Sequence, residues 1–210
     1  GLITVNGKVV DKSQFSVDPI NDKIVVDGEE LVYKKYAYLV LNKPKGYVSA
    51  TTDGAYPTVV ELAPIEFNHR EIFPCGRLDK NTLGLMLLTN NGPLSHKLLA
   101  PKRHVSKKYY FKAEDNVTEC DRVRLESGVD IGGYVTAPCT VEMINPKEGY
   151  ITLTEGKYHQ IKLMLKAVCN KIEYLERVTF GTLTHDESLE RGQWRYLTEE
   201  EIALLAEAAK

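Results

Sequence analysis

Hydrophobic and polar positions along the chain change rhythm several times, and each change predicts an element. Residues 2–10 (LITVNGKVV) and 22–31 (DKIVVDGEEL) read as short strands broken at Asn6-Gly7 and Asp27-Gly28, pairs that tolerate the left-handed backbone of tight turns. Residues 36–44 (YAYLVLNKP) form a strand stopped by Pro44 and Gly46, and residues 47–56 a loop or hairpin around Asp53-Gly54. TVVELAP (58–64) is a short helix candidate. Residues 72–92 (IFPCGRLDKNTLGLMLLTNNG) give a strand, a polar turn, the apolar run LGLMLLT and a second Asn-Gly turn; PLSHKLLAP is a short helix stopped by Pro101.

The second half is richer in strands. KKYYFKAE, TAPCTVEMI, GYITLTEG and KIEYLERVTFGTLT are strand-like. VTECDRVRLESGV reads as a helix, and HQIKLMLKAVCNKI (159–172) places apolar residues at helical spacing. LTEEEIALLAEAAK closes the chain as a helix capped by Thr198, with Glu201 completing a capping box. Strands and helices mix without a regular βαβ rhythm, so the fold class is α+β with a largely antiparallel sheet. Residues 1–35 are too short to fold alone, Lys34 and Lys35 mark a linker, and 36–210 form the main domain.

Composition narrows the function classes. No apolar run approaches the roughly 18 residues of a spanning helix, and the alternating start is not a signal peptide. Cys75, Cys120, Cys139 and Cys169 are far apart and form no C-x-x-C pair, which argues against a zinc or redox site. The simpler reading is four reduced, mostly buried thiols in a cytoplasmic protein. Net charge is −2, yet Lys97, Lys102, Arg103, Lys107, Lys108 and Lys112 fall in sixteen residues without an acid. The rest carries 21 basic against 29 acidic residues, a net of −8. Positive charge is therefore concentrated in one segment, either a solvated loop or a face that meets phosphates.

The densest chemistry lies in Cys75–Gly92. On its residues alone Asp79, two places from Arg77, reads as half of a structural ion pair, the commoner fate of such neighbours. The segment GRLDKNTLGLMLLTNNG, however, resembles the G-R-L-D-x-x-T-x-G-L-L-L-L-T-N-D-G signature of the pseudouridine synthases that modify ribosomal RNA. NKPKGYVSAT, HVSKKYYF, EGKYHQIKLM and the closing W-R-x-L-T-x-x-E-I pattern resemble further family segments in the same order. LLAPKRHVSKKYY and GVDIGGYVTAPCTVEMI are most similar to the RsuA type, which acts on small-subunit ribosomal RNA.

The resemblance implies the pseudouridine synthase fold, with flanking helices on a mixed, largely antiparallel sheet. Residues 1–35 would then be the remnant of a truncated αL RNA-binding domain. It implies an isomerase that needs no cofactor and no metal. The uridine N1–C1′ bond breaks, the base rotates, and C5 joins C1′. Asp79 is the implied catalytic carboxylate, attacking C1′ or abstracting a proton. A nearby cation favours the charged carboxylate; the basic partner falls on Lys162, where relatives often carry arginine and where lysine predicts a looser pairing.

Tyr109 is the implied active-site tyrosine, with Tyr110 pointing to the opposite strand face, and Ile161 the apolar floor of the base pocket. Arg77 would occupy the space of the flipped uridine, while Lys102, Arg103, Lys107 and Lys108, aided by Lys43 and Lys45, grip phosphates. His104 and His159 form no triad, and His159 is expected to orient its loop. The implied partner is small-subunit ribosomal RNA or an assembling ribosomal particle, with no membrane, and nothing calls for more than a monomer. The alternatives are large-subunit ribosomal RNA as substrate, or a non-catalytic RNA-binding assembly protein on the same fold.

Overall fold

A computed structural model describes residues 2–18, 21–31, 35–64 and 71–208. The chain divides into two compact units, Gly1–Tyr36 and Ala37–Lys210. Lys34, one half of the expected linker, lies outside the described residues.

The first unit is a four-stranded antiparallel sheet of β1 (Ile3–Val5), β2 (Lys8–Val10), β3 (Ile24–Val26) and β4 (Glu29–Glu30), ordered β2-β1-β3-β4. Asn6-Gly7 and Asp27-Gly28 both take positive φ, as two-residue hairpin turns demand. Of its described residues only Val5 is buried; Leu2, Ile3, Val9, Phe15 and Leu31 remain exposed.

The described residues of the second unit form nine strands. They are β5 (Tyr38–Lys43), β6 (Phe73–Pro74), β7 (Leu83–Thr89), β8 (Lys107–Ala113), β9 (Thr140–Asn145), β10 (Glu148–Leu153), β11 (Ile172–Phe180), β12 (Leu183–Thr184) and β13 (Trp194–Tyr196). The main path runs β13-β5-β7-β11-β8-β10-β9, with β6 on β7 and β12 on β11. Every pairing is antiparallel except β7 with β11. That pairing is close: at Gly84 (φ +94°) a Cβ would stand 2.4 Å from the Arg177 carbonyl oxygen, so only glycine fits.

Apolar clusters cover both faces. On one face, Leu39, Leu41, Met86 and Leu88 pack with Val59, Val60, Ile72 and Leu78. Beside them, Phe111, Ile151, Leu153 and Leu175 meet Leu125 of α2 (Glu119–Ser127) and Ile161, Met164 and Leu165 of α3 (Gln160–Ala167). Tyr109 packs against both clusters. The alternate residues Val40, Leu85 and Leu87 meet Leu98 of α1 (Gly92–Leu99) and Leu205 of α4 (Glu199–Ala208). Burial on both faces explains why β5 and β7 read as near-continuous apolar runs.

The structure corrects several expectations. Asn91-Gly92 is no hairpin turn: Asn91 caps α1, its side chain accepting from the Leu94 amide at 3.1 Å. Of the two alternatives around Asp53, the loop is the one found, and in it the Asp53 carboxylate accepts from the amides of Ala55 and Tyr56. TVVELAP supplies only a 3₁₀ turn, Val59–Leu62. Helix α3 ends at Ala167, short of Ile172, because Cys169 turns left-handed at φ 60°. Strand β13 is too short to show a rhythm and was not foreseen. The thiols are not mostly buried: Cys75 is, Cys139 is half-buried, and Cys120 and Cys169 are exposed. Among the described residues no helix is long and apolar enough to cross a membrane.

Candidate active site

Asp79 sits in the polar turn between β6 and β7, and its backbone is fastened from three directions. Leu78, buried beneath it, donates its amide to Ser49 Oγ at 2.9 Å and accepts the hydroxyl back at 2.8 Å. The Thr82 amide closes the turn on the Asp79 carbonyl at 3.0 Å, and the Gly46 amide binds the Lys80 carbonyl at 2.9 Å. Lys43 supplies the third hold. Its side chain is wholly buried, and its ammonium donates to the carbonyls of Thr82 (2.9 Å), Pro44 (3.1 Å), Asp79 (3.2 Å) and Lys80 (3.2 Å). Burial pushes this ammonium down to about 8; Asp79 opposes the shift, and Lys162 and Arg177 add to it.

Lys43 is thus no phosphate ligand, contrary to the expectation: none of it reaches solvent. Leu39, Leu41 and Lys43 occupy alternate, fully buried positions on one face of β5. That period of two was the signal available in the sequence.

The carboxylate faces the first turn of α3. Lys162 Nζ lies 2.5 Å from Asp79 Oδ2, across 83 residues of sequence. His159, which caps α3 in a left-handed conformation, places Nε2 3.5 Å from Oδ1. The positive end of the helix dipole therefore adds to the ammonium. This corrects the structural-pair reading of Asp79: the partner is Lys162, and Arg77 is exposed. The loop before α3 is held in turn. Gln160 Nε2 donates to Glu155 Oε1 at 2.6 Å, and Glu155 also receives the Ala137 amide at 2.9 Å and the Tyr134 hydroxyl at 2.6 Å.

Tyr109 joins the cluster containing Leu78 to the cluster containing Ile161, so it lies where the Asp79 turn and the α3 turn converge. Ile161 is 4% exposed and packs under this junction. Tyr110 faces the other way: its hydroxyl binds Glu148 Oε2 at 2.8 Å, and its ring neighbours Tyr150 and Tyr174.

The basic residues separate. Lys102 and Arg103 are exposed on a 3₁₀ turn, Pro101–Arg103, which His104 ends at φ 49°. Lys107 is half-buried; its ammonium donates to the Val105 carbonyl at 2.7 Å, and burial lowers it to about 8. Lys108 shares the face of Tyr110, pairs with Glu142 at 3.0 Å and lies 4.6 Å from the Tyr150 ring, so the structure does not bring it to Asp79. A cavity of about 510 Å³, lined by Tyr110, Tyr150, Glu176, His185 and Arg191 among others, opens on that same face and contains no candidate site residue.

One buried cation went unnoticed in the sequence. Arg177 is 2% exposed, donates Nε to the Leu85 carbonyl at 2.8 Å and stands behind the site with Lys43.

A turn that presents one carboxylate to a lysine, a histidine and a tyrosine-lined junction is equipped to act on a polar bond beside a flat ring. Comparison with known proteins gives the family. The family model described as RNA pseudouridylate synthase matches residues 37–167. The uncharacterized RNA pseudouridine synthase YtzG of Bacillus subtilis (strain 168) is 44% identical over 99% of this chain and 89% of its own. Ribosomal small subunit pseudouridine synthase A of Escherichia coli (strain K12) is 36% identical, covering 96% of this chain and 87% of its own. A crystal structure of a pseudouridylate synthase superposes with a TM-score of 0.77 at 34% identity, over 97% of this chain and 88% of that one. The archaeal Nop10-Cbf5 complex, at 16% identity and a TM-score of 0.51, shares the fold alone. With a matching model over most of the sheet and relatives this similar along nearly its whole length, the chain belongs to the RNA pseudouridylate synthase family of isomerases, in its RsuA-type branch.

Proposed function

We propose that this protein converts one uridine of small-subunit ribosomal RNA to pseudouridine, with Asp79 as its catalytic carboxylate. The observation that carries the reading is the 2.5 Å contact between Lys162 and Asp79, made at the junction that Tyr109 shares. The small-subunit substrate is supported by the name of the E. coli relative, 36% identical.

In this reading Asp79 engages the ribose while the N1–C1′ bond breaks. The freed base turns over Ile161, C5 bonds to C1′, the C5 proton is lost to solvent and N1 takes up one proton in exchange, so that the product is an isomer and no net oxidation occurs. Tyr109 stacks on the base, and its hydroxyl takes part in proton transfer at C5. Arg77 fills the space vacated by the flipped nucleotide. Lys102 and Arg103 meet backbone phosphates, which makes log affinity fall with log salt. The Gly1–Tyr36 unit adds an RNA-binding surface of αL type.

Tritium release from C5-labelled uridine in transcribed small- and large-subunit ribosomal RNA tests the proposal. Release is expected from the small-subunit transcript and is lost with Asp79→Asn. Normal release by that variant refutes the catalytic assignment, and release confined to the large-subunit transcript refutes the substrate.

A further inference from the structure

Beside Asp79 lies an aromatic pair that the assigned roles leave unused. Tyr158 is 72% exposed, the most open large apolar or aromatic side chain among the described residues. Its ring lies flat on the His159 imidazole, with centroids 3.8 Å apart and planes at 19°. That imidazole is the one whose Nε2 stands 3.5 Å from Asp79 Oδ1. One face of the phenol ring is therefore fixed against the catalytic turn. The other is open to solvent, with the imidazole between the phenol ring and the carboxylate.

Two cations next to these residues in the chain sit on further rings. Lys157, next to Tyr158, sits 4.1 Å from the Tyr134 ring, and Lys80, next to Asp79, sits 3.6 Å from the half-exposed Tyr56 ring. Exposed rings interleaved with cations are what unstacked bases of RNA bind. Flipping a nucleotide also strips its neighbour of one stacking partner.

We propose that the Tyr158–His159 stack is the platform that receives the nucleobase adjacent to the target uridine. The inference rests on the reading of Asp79 as the catalytic carboxylate. Overlap grows with ring area, so a purine is favoured at that neighbouring position and an abasic ribose is the poorest occupant.

The test uses an RNA fragment carrying the uridine that the wild-type protein modifies. Three forms are compared: intact, abasic at the 5′ neighbour and abasic at the 3′ neighbour. Tyr158→Leu should raise KM about tenfold on intact RNA with kcat within about twofold, while Tyr158→Phe behaves as wild type. One of the two abasic RNAs should raise the wild-type KM by the same factor and leave that of Tyr158→Leu unchanged. An unaltered KM for Tyr158→Leu overturns the platform. So does an equal further loss on both abasic RNAs, or a fall in kcat alone, which would make Tyr158 a support for His159. The thermal midpoints of both variants should match wild type, since the ring is largely exposed. A wild-type protein that modifies no uridine overturns the synthase reading itself, a result distinct from any of these.

Discussion

The hold of Lys43 on the Asp79 turn makes a quantitative prediction. Lys43→Met keeps the length of the side chain and removes the ammonium that four carbonyls share at 2.9–3.2 Å. A hydrogen bond from a charged donor contributes about 1.5–3 kcal/mol, so three protons contribute at least about 4.5 kcal/mol. Against this stands the cost of burying the charge. Bringing a lysine from 10.5 to about 8 corresponds to about 3 kcal/mol. The variant escapes that cost but leaves the Thr82 carbonyl buried without its donor, at about 1–3 kcal/mol. The net loss is about 3 kcal/mol, which lowers the thermal midpoint of a chain this size by roughly 6–12 °C.

The effect on turnover should be larger than the stability loss suggests. Lys43 acts on the backbone that aims the carboxylate, and an error of about 1 Å in such a group costs on the order of a hundredfold. Tritium release measured well below the midpoint should therefore fall about a hundredfold. Lys43→Arg should not restore it, because a planar fork cannot direct its protons to four converging carbonyls. A Lys43→Met protein with wild-type midpoint and wild-type turnover would refute this account of the turn.

The same lysine gives a pH signature with two signs. Its folded value near 8 lies below the 10.5 of an unfolded chain, so between them the unfolded state holds more protons and this group makes stability rise with pH. Turnover should instead decline from pH about 8 as the ammonium loses charge; profiles of Lys43→Met against wild type isolate Lys43 from Lys107, which burial also lowers to about 8, and parallel profiles would reject the idea. Tyr109→Phe should reduce tritium release about a hundredfold, whereas Tyr110→Phe, whose hydroxyl serves Glu148 on the opposite face, should stay within about twofold; equal losses would contradict the strand register. Gly84→Ala should destabilise the fold by about 3 kcal/mol or more, read as a lowered denaturant midpoint, since its Cβ meets the Arg177 carbonyl at 2.4 Å; an unshifted midpoint would show that the β7–β11 contact yields freely.

Most elements of the second unit were legible in the amino-acid pattern because their signals are local. The apolar run LGLMLLT, the capping box at Thr198 and Glu201 and the helical spacing of QIKLMLKA need no knowledge of the rest of the chain. What stayed hidden depends on partners distant in sequence. Strand β13 exists because Trp194–Tyr196 pairs with β5, and the parallel pairing of β7 and β11 joins residues some ninety positions apart. Asn91 could have turned a hairpin or capped a helix, and Pro93 on a following apolar turn decided for the cap. Among site residues, Lys43 was visible as a residue of interest yet misread. A lysine beside a proline suggests a surface, and only the alternation with Leu39 and Leu41 shows that it continues a buried face. Lys107 and Lys108 were read together as one basic stretch. Adjacent strand residues point to opposite faces, and this divides them.

Two lysines therefore divide the work around one carboxylate, each with a different geometry. Lys43 must satisfy several carbonyls arriving from different directions, which suits a small tetrahedral ammonium. Lys162 must orient Asp79 without covering it. An arginine fork binds a carboxylate through both oxygens. Lys162 takes Oδ2 alone, at 2.5 Å, and among the described residues Oδ1 meets His159 at 3.5 Å. The looser pairing expected of a lysine is thus not a longer contact. It is a contact that occupies one oxygen, and the other faces the histidine on which the open ring of Tyr158 is stacked. In the proposed reading that oxygen is the one that meets the ribose. Asp79 would then be held tightly at one atom and at the backbone and more loosely at the other, an arrangement that orients it and leaves it accessible.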